Sequence, residues 1–286
     1  MRRKIERVVI LTHGDPTVAA GPLKQSVAWL RKSGVAVSLP PGEWDKHADI
    51  LAGKAGISVL DEDGHLDGID LCLVLGGDGT MLRGFHLTRD RGIPVAGVNL
   101  GRVGFLTTVL SDKLQEGLDA LLAGRFTEHP LHGLVARLDS AVFRATNDVV
   151  VGRGSRSDAS SLALRINGVT LFEVLCDGVV VGTPAGSSAY SLAAGGPLLG
   201  ISVDAYVISL VAPHAVGVRP VVAAPGDVLE ITNTSPYDEC AVDIDGQRLA
   251  AVPPGGVMEI RTEPGVASLA LLEGDSLYHH FRDRLL

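Results

Sequence analysis

Gly76-Gly77-Asp78-Gly79-Thr80 sets one carboxylate among three glycines, immediately after the apolar run Leu71–Leu75. The run reads as a buried strand. Glycines let a backbone N–H approach a phosphate closely, and a helix opening just after them presents an N-terminus that favours an anion. Asp78, in mid-turn, offers a carboxylate able to accept a proton, and Arg83 further along can pair with a phosphate. Gly-x4-Gly-Lys-Ser/Thr occurs nowhere in the chain, so this is not a P-loop. The same five residues would also suit an ordinary βα turn with an exposed aspartate.

Three further groups have chemistry to offer. Asn147-Asp148 follows Val142–Ala145 and precedes the apolar triplet Val149–Val151. Asn carries both donor and acceptor and suits the edge of a base or ribose, although a capped turn would use the same pair. Asp177 opens a long segment running through Thr183-Pro184-Ala185-Gly186-Ser187-Ser188-Ala189-Tyr190 to Pro197. It reads as a strand, a Pro-Ala-Gly turn and a helix of small residues starting near Ser187, with Ser187 and Ser188 at capping positions. Small side chains let a flat ligand reach the backbone, and Tyr190 supplies a ring to stack and a hydroxyl to bond. His214, after Ala212-Pro213, suits catalysis or a structural hydrogen bond, the structural role being favoured, and Arg219-Pro220 suits a packing or interface role. His279-His280, in an amphipathic end helix Tyr278–Leu286, lacks the spacing of a zinc pair.

The elements that must position these groups alternate at first. Val8–Thr12, Val35–Leu39, Leu71–Leu75 and Ile93–Val98 read as strands; Leu23–Lys32, with Pro22 at its start, and Thr80–Arg91 read as helices. Pro40–Gly68 reads as irregular. Such alternation implies a parallel sheet with helices on its faces. Ser111–Ala123 reads as one more helix, capped by Ser111 and stopped by Gly124. Thereafter the texture is β-rich. Asn167-Gly168 between Leu162–Ile166 and Val169–Val174 is a type I′ hairpin signal. Short strands follow at Val179–Val181, Val207–Val211, Val228–Thr232, Ala241–Ile244, Gly256–Ile260 and Ala267–Leu271, with turns at Asp245-Gly246 and Pro253-Pro254-Gly255.

With 46% hydrophobic and 20% charged residues, this is a core-forming chain of one large or two medium domains. Its 35 glycines, in 286 residues, exceed the average share of roughly 7%, so tight turns and close backbone contacts are over-used. A net charge of −8 argues against nucleic acid as a partner. Cys72, Cys176 and Cys240 are far apart and give neither a zinc signature nor a disulfide framework, which fits a reduced cytoplasmic setting. After Met1-Arg2-Arg3-Lys4 the apolar run Val8–Leu11 is too short for a signal peptide, and no stretch reaches the ~18 apolar residues of a membrane span.

Taken together, the motifs resemble the NAD kinase family, whose members use ATP to phosphorylate the adenosine 2′-hydroxyl of NAD and make NADP. The likeness spans most of the chain, in the family's order. It comprises Gly-Gly-Asp-Gly-Thr at 76–80, Asn-Leu-Gly-Arg-Val-Gly-Phe-Leu-Thr at 99–107, Asn-Asp at 147–148 and Asp-Gly-Val-Val-Val-x-Thr-Pro-x-Gly-Ser at 177–187. Ala-Tyr-Ser at 189–191, His-x4-Arg-Pro at 214–220 and Asp-Gly at 245–246 complete it. The resemblance implies an α/β N-terminal domain with a parallel sheet, residues 1–108 plus 270–286, and a β-sandwich-like, NAD-binding C-terminal domain, residues 109–269. It also implies NAD in the cleft between them, a C-terminal helix packed back on the first domain, and a homodimer or homotetramer.

Carried over position by position, the resemblance makes Asp78 the proton acceptor and Gly76, Gly77, Gly79, Thr80 and Arg83 its nucleotide- and phosphate-contacting neighbours. Asn147 and Asp148 hold the dinucleotide, Asp177 is an acidic contact, and Ala185, Ser187 and Ser188 through Ala189, Tyr190, Ser191, Leu192 and Ala193 form a turn-and-helix contact. Gln247 is a late contact. No protein metal site is expected; Mg²⁺ or another divalent ion comes with ATP. The chain departs from the family at Ala185, where a threonine is usual, and at Leu175, where many members have arginine. Both changes make the acceptor side less polar and leave the choice between NAD and NADH open, as the sequence leaves the donor open between ATP and inorganic polyphosphate. Two other readings share some of these residues: a lipid or sphingoid-base kinase with the same Gly-Gly-Asp-Gly turn, and a non-catalytic NAD-binding sensor.

Overall fold

A computed structural model describes residues 4–53, 56–61, 65–101, 104–154 and 159–285. Arg102 and Val103 of the 99–107 motif, Met1 to Arg3 and Leu286 of the end helix lie outside the described residues. The chain forms two compact units, Met1–Pro130 with Ala267–Leu286, and Leu131–Val266.

The first unit runs β1 (Arg7–Thr12), α1 (Pro16–Lys32), β2 (Ala36–Leu39), α2 (Pro41–Lys46), α3 (Ala48–Leu51), β3 (Ile57–Val59), β4 (Leu71–Leu75), α4 (Asp78–Thr88), β5 (Pro94–Asn99), β6 (Val109–Leu110) and α5 (Leu114–Leu122). Five strands lie in the order β3-β2-β1-β4-β5, all parallel. Val8, Ile10, Leu71, Leu73 and Leu75 share one core with Leu23, Val27 and Leu30 of α1. Strands β4 and β5 are buried at every residue, as a parallel sheet covered on both faces demands.

Several elements differ from the sequence reading. The first helix starts at Pro16, not after Pro22, because Asp15 caps it by accepting from the Thr17 backbone N–H at 2.9 Å. Pro22 then sits inside the helix, where burial of Ala19, Leu23, Val27 and Leu30 outweighs one lost backbone bond. The stretch expected to be irregular holds α2, α3 and β3, elements of three to six residues that are too short to show a period. Ser111 makes no cap; it begins a 3₁₀ turn, Ser111–Lys113, ahead of α5.

The remaining elements are β7 (Phe126–Leu138), β8 (Ala141–Ala145), β9 (Asp148–Gly152), β10 (Ser160–Ile166), β11 (Val169–Cys176), β12 (Gly178–Gly182), α6 (Tyr190–Ala193), β13 (Tyr206–Val211), β14 (Val221–Ala223), β15 (Leu229–Asn233), β16 (Cys240–Ile244), β17 (Gln247–Val252), β18 (Val257–Leu272) and α7 (Leu277–Leu285). In the second unit, one antiparallel sheet runs β14-β13-β12-β9-β16-β17 and another β11-β10-β15-β18. Val149, Val181, Ile208 and Val242 of the first share a core with Leu162, Leu164, Ile231 and Met258 of the second. The expected hairpin is present, with Asn167 at φ 49° and Gly168 at φ 80°, the left-handed pair of a type I′ turn. The two strands read at Gly256–Ile260 and Ala267–Leu271 are the ends of one strand, β18, which passes Pro264 and a left-handed Gly265 at φ 67°.

Strand β18 ends in the first unit, where Ser268 and Leu269 pair in parallel with Pro94 and Val95 of β5. Helix α7 follows it and packs on that unit: the Phe281 and Phe105 rings meet edge to face at 5.6 Å. Among the described residues, no helix is long and apolar enough to cross a membrane.

Candidate active site

The strand order of the first unit reverses between β1 and β4, since β2 and β3 are laid on one side of β1 and β4 and β5 on the other. The crevice outside the carboxyl ends of such a pair is where parallel α/β sheets bind ligands. Thr12 and Leu75, the last residues of β1 and β4, are register partners, and the His13 N–H donates to the Leu75 carbonyl at 2.8 Å. The Gly76-Gly77 turn therefore leaves the sheet beside the turn that follows Thr12.

Helix α4 begins at Asp78, two residues earlier than its sequence pattern indicated, with Gly77 as the N-cap. Asp78 thus stands in the first turn of a helix rather than in mid-turn, where backbone dipoles favour a carboxylate. Its side chain is held from a distant loop. Oδ2 accepts from the Phe105 N–H at 2.9 Å and Oδ1 from the Leu106 N–H at 3.0 Å. Gly104 makes this approach possible, because a Cβ there would lie 2.5 Å from Asp78 Oδ1 and 2.8 Å from Thr107 Oγ1. Thr80 is buried and Gly79 exposed in the same first turn. Arg83 Nη1 donates to the Thr12 carbonyl at 3.1 Å, and Nη2 pairs with the Glu43 carboxylate.

In the second unit, two segments converge on Asn147-Asp148: the Asp245-Gly246 turn and the 183–186 stretch. Asp245, at φ 49° in its turn with Gly246, accepts from the backbone N–H groups of Thr146 at 2.8 Å, Asn147 at 2.7 Å and Asp148 at 3.1 Å. Thr183 donates its N–H to the Asn147 carbonyl at 2.9 Å and its hydroxyl to the Thr146 carbonyl at 2.7 Å. Gly186 lies so close to the Asn147 carbonyl that any Cβ there would overlap it. Asn147 Oδ1 is buried without a hydrogen-bond partner, a poised acceptor. Asp148 is 6% exposed; burial, then the Asp245 and Asp243 carboxylates, push its pKa up to about 7.

The turn after Pro184 differs from the expected small-residue helix. Ala185–Ser188 is a 3₁₀ turn, and α6 is a single turn separated from it by Ala189. Neither Ser187 nor Ser188 caps a helix. Ser187 is buried and locks the turn, donating to the Pro184 carbonyl at 2.7 Å and accepting from the Leu199 N–H at 3.0 Å. Ser191 is likewise buried, 3.0 Å from the Ser209 hydroxyl, and Ala185 is buried as well. Ala189, Tyr190 and Ala193 are exposed, and Ser188 and Leu192 half-buried.

Gln247 opens β17 beside the Asp245-Gly246 turn and is exposed. Asp177 is not part of this convergence. It precedes the opposite end of β12 from Gly182, which pairs with Asp148, and it is bound by Arg153 Nε at 2.8 Å. Asp177 lies five residues before Gly182 along this strand, about 16 Å. Leu175 is exposed on β11, and so is the His214 side chain; the hydrogen bond at His214 is its backbone N–H to the Leu175 carbonyl at 2.8 Å. Sequence reasoning did not find Phe105 and Leu106 as the groups that orient Asp78, because it is their backbone that acts. It read Asp245 as a turn residue; aspartate in a left-handed position was the available signal for a cap.

An oriented carboxylate, a glycine turn and a helix N-terminus at the switch point of a parallel sheet make a site of the phosphoryl-transfer class. Comparison with known proteins specifies it further. Residues 58–126 match the model for the ATP-NAD kinase N-terminal domain, and residues 146–271 the model for the ATP-NAD kinase C-terminal domain. The NAD kinase of Carboxydothermus hydrogenoformans is 32% identical over 246 residues, 84% of this chain and 88% of the relative. Two solved structures share the fold. Yeast NADH kinase complexed with NADH has a TM-score of 0.86 at 22% identity, over 98% of this chain and 86% of that one. An NAD kinase from Archaeoglobus fulgidus in complex with ATP has a TM-score of 0.70 at 22% identity, over 97% and 99%. The chain belongs to the NAD kinase family, and its activity is that of an NAD kinase.

Proposed function

We propose that Asp78 is the general base of the reaction and that the second unit holds the acceptor. The adenosine ribose 2′-hydroxyl of NAD is a poor nucleophile while it keeps its proton. Asp78 takes that proton as the oxygen attacks the γ-phosphorus of ATP; the new O–P bond gives NADP, and the bond to the β-phosphate breaks to release ADP. The carrying observation is the Asp78 carboxylate, fixed by the Phe105 and Leu106 N–H groups at the start of α4. A carboxylate oriented in this way needs no rearrangement to receive a proton, and general-base catalysis contributes typically 10²–10⁴-fold. Mg²⁺ enters with ATP, whose phosphates lie along Gly76, Gly77, Gly79 and Thr80 with Arg83 as a cationic contact.

On the acceptor side, Asn147 Oδ1 accepts from a base or ribose donor and Asp148 from ribose hydroxyls, while Tyr190 stacks on a ring. Ser188, Ala189, Leu192, Ala193 and Gln247 complete the contact surface; Ala185, Ser187 and Ser191 act by shaping the turn, since their side chains are buried. Asp177 contacts a separate part of the ligand. NAD and ATP as substrates accord with the NADH and ATP of the two structural neighbours. We assign the protein to a reduced cytoplasmic setting, in keeping with three buried free thiols. We also propose a homodimer or homotetramer, for which the exposed Val169, Leu171 and Leu175 of edge strand β11 offer a surface.

The test is Asp78→Asn assayed with Mg-ATP and NAD, with NADP read by a coupled dehydrogenase. We expect kcat to fall about 10²–10⁴-fold, with NAD affinity by calorimetry kept within a few-fold. A variant with wild-type kcat would overturn the assignment. Replacing ATP by inorganic polyphosphate, and NAD by NADH, identifies the preferred donor and acceptor in the same assay.

A further inference from the structure

Beside the phosphate turn lies a buried ionic cluster on the other strand of the switch point. Glu43, in the six-residue helix α2, is 2% exposed, and His47 is 1% exposed. Glu43 Oε2 accepts from the Thr12 N–H at 3.0 Å, the Thr12 hydroxyl at 2.6 Å and Lys46 Nζ at 2.8 Å; Oε1 pairs with Arg83 Nη2. Because the Thr12 hydroxyl donates to Glu43, its oxygen is left to accept from His47 Nε2 at 2.9 Å. Burial lowers the His47 pKa, which keeps that imidazole neutral. Burial pushes the Glu43 pKa up, but Lys46, Thr12 and Arg83 outweigh it and hold the carboxyl below its ordinary value.

The cluster therefore sums one carboxylate, one neutral imidazole and two cations, and carries a surplus positive charge at the carboxyl end of β1. Arg83 is 48% exposed despite its two bonds. A guanidinium has five N–H donors, so bonds to Glu43 and the Thr12 carbonyl leave donors for a further acceptor. Burying an ion pair gains little stability over packed apolar side chains. What this arrangement does provide is a fixed guanidinium plane, five positions along α4 from Asp78.

We propose that Glu43 is a positioning residue: it clamps Arg83, with Lys46 beside it, in the orientation that receives the phosphates of the donor. The proposal rests on the reading of Arg83 as a donor-phosphate contact. Thr12 and His47 extend the clamp by fixing Glu43 from behind. The two bonds given for the Asp78 carboxylate come from Phe105 and Leu106 of another loop, so on this reading the donor side should respond to the loss of the cluster.

The experiment is a double-mutant cycle on the full chain, with KM for ATP, KM for NAD and kcat measured for Glu43→Gln, Arg83→Ala and the pair. Glu43→Gln should raise KM for ATP about tenfold, the worth of one charge-assisted hydrogen bond, and leave KM for NAD unchanged. Arg83→Ala should raise it at least as much, and the pair should be no worse than Arg83→Ala. Glu43→Asp keeps the buried charge and should give a smaller rise, so a Glu43→Gln chain that fails to fold still leaves a reading. Multiplying effects in the pair, or a rise in both KM values alike, would show Glu43 acting through the fold and overturn the proposal. A wild-type KM for ATP in Glu43→Gln, with a raised one in Arg83→Ala, would overturn the clamp while leaving the Arg83 contact standing. A wild-type KM for ATP in Arg83→Ala would overturn that contact itself, and the clamp with it, while the assignment of Asp78 stands on its own assay.

Discussion

The two units treat a carboxylate in opposite ways. In the first, Asp78 sits at a helix start and is met by two backbone donors from a loop that a glycine lets come close. In the second, Asp148 is buried on β9 beside two other carboxylates and is pushed up to about 7. The neighbouring Asp245 spends its own oxygens on three backbone N–H groups. The first arrangement fixes a carboxylate by two backbone donors. The second uses one carboxylate as scaffold and leaves another close to titration at neutral pH. Position in a strand or helix does not decide which fate a carboxylate meets; burial, the nearby donors and like charges do.

The comparison can be broken most forcefully at Gly104. In Gly104→Ala the new methyl would crowd both the Asp78 carboxylate and the Thr107 hydroxyl, so the two groups must give way. A misplacement of about 1 Å at a reacting group costs around 10²-fold, so kcat should fall about that much while the melting temperature moves little. An unchanged kcat would mean that the backbone clamp on Asp78 is dispensable. The matching change in the second unit, Asp245→Asn, turns one acceptor oxygen into a donor facing backbone donors. It should cost about 2 kcal/mol of stability by urea unfolding and raise KM for NAD more than it lowers kcat. If Asp245→Asn affected kcat alone, the view of Asp245 as scaffold would fail.

Much of this contrast could be read from the residues themselves. The Leu71–Leu75 run followed by Gly76-Gly77 marks a buried strand and a turn without ambiguity, and Asn167-Gly168 fixes a hairpin and its register. The starts of α1 and α4 are not legible from the apolar period, since Asp15-Pro16 and Gly77-Asp78 are both competent starts that lie outside it. The donors to Asp78 were not legible at all, because a backbone N–H has no side-chain signature. Glu43 was hidden for a related reason: Pro-Gly-Glu-Trp reads as a polar loop, and only the sheet order shows that it lies against Thr12 at the switch point. Small-residue composition marked the 185–193 segment as unusual, but could not tell which serines face outward and which are locked inward.

The finest test of the contrast is the pH dependence of Asp148. Its ordinary value is 3.8 and its folded value about 7, so between those limits the folded protein keeps a proton that the unfolded chain has released. Stability therefore falls as pH rises from about 4 to about 7 and levels off above, by at most ~1.4 kcal/mol per pH unit from this group. Asp148→Asn removes the titration. The variant should match the wild type in melting temperature near pH 4 and exceed it by a few degrees at pH 8. The gain is smaller than the full titration effect, because a buried amide needs hydrogen-bond partners of its own. Equal pH profiles for the wild type and Asp148→Asn would mean that burial and the neighbouring carboxylates do not hold a proton on Asp148.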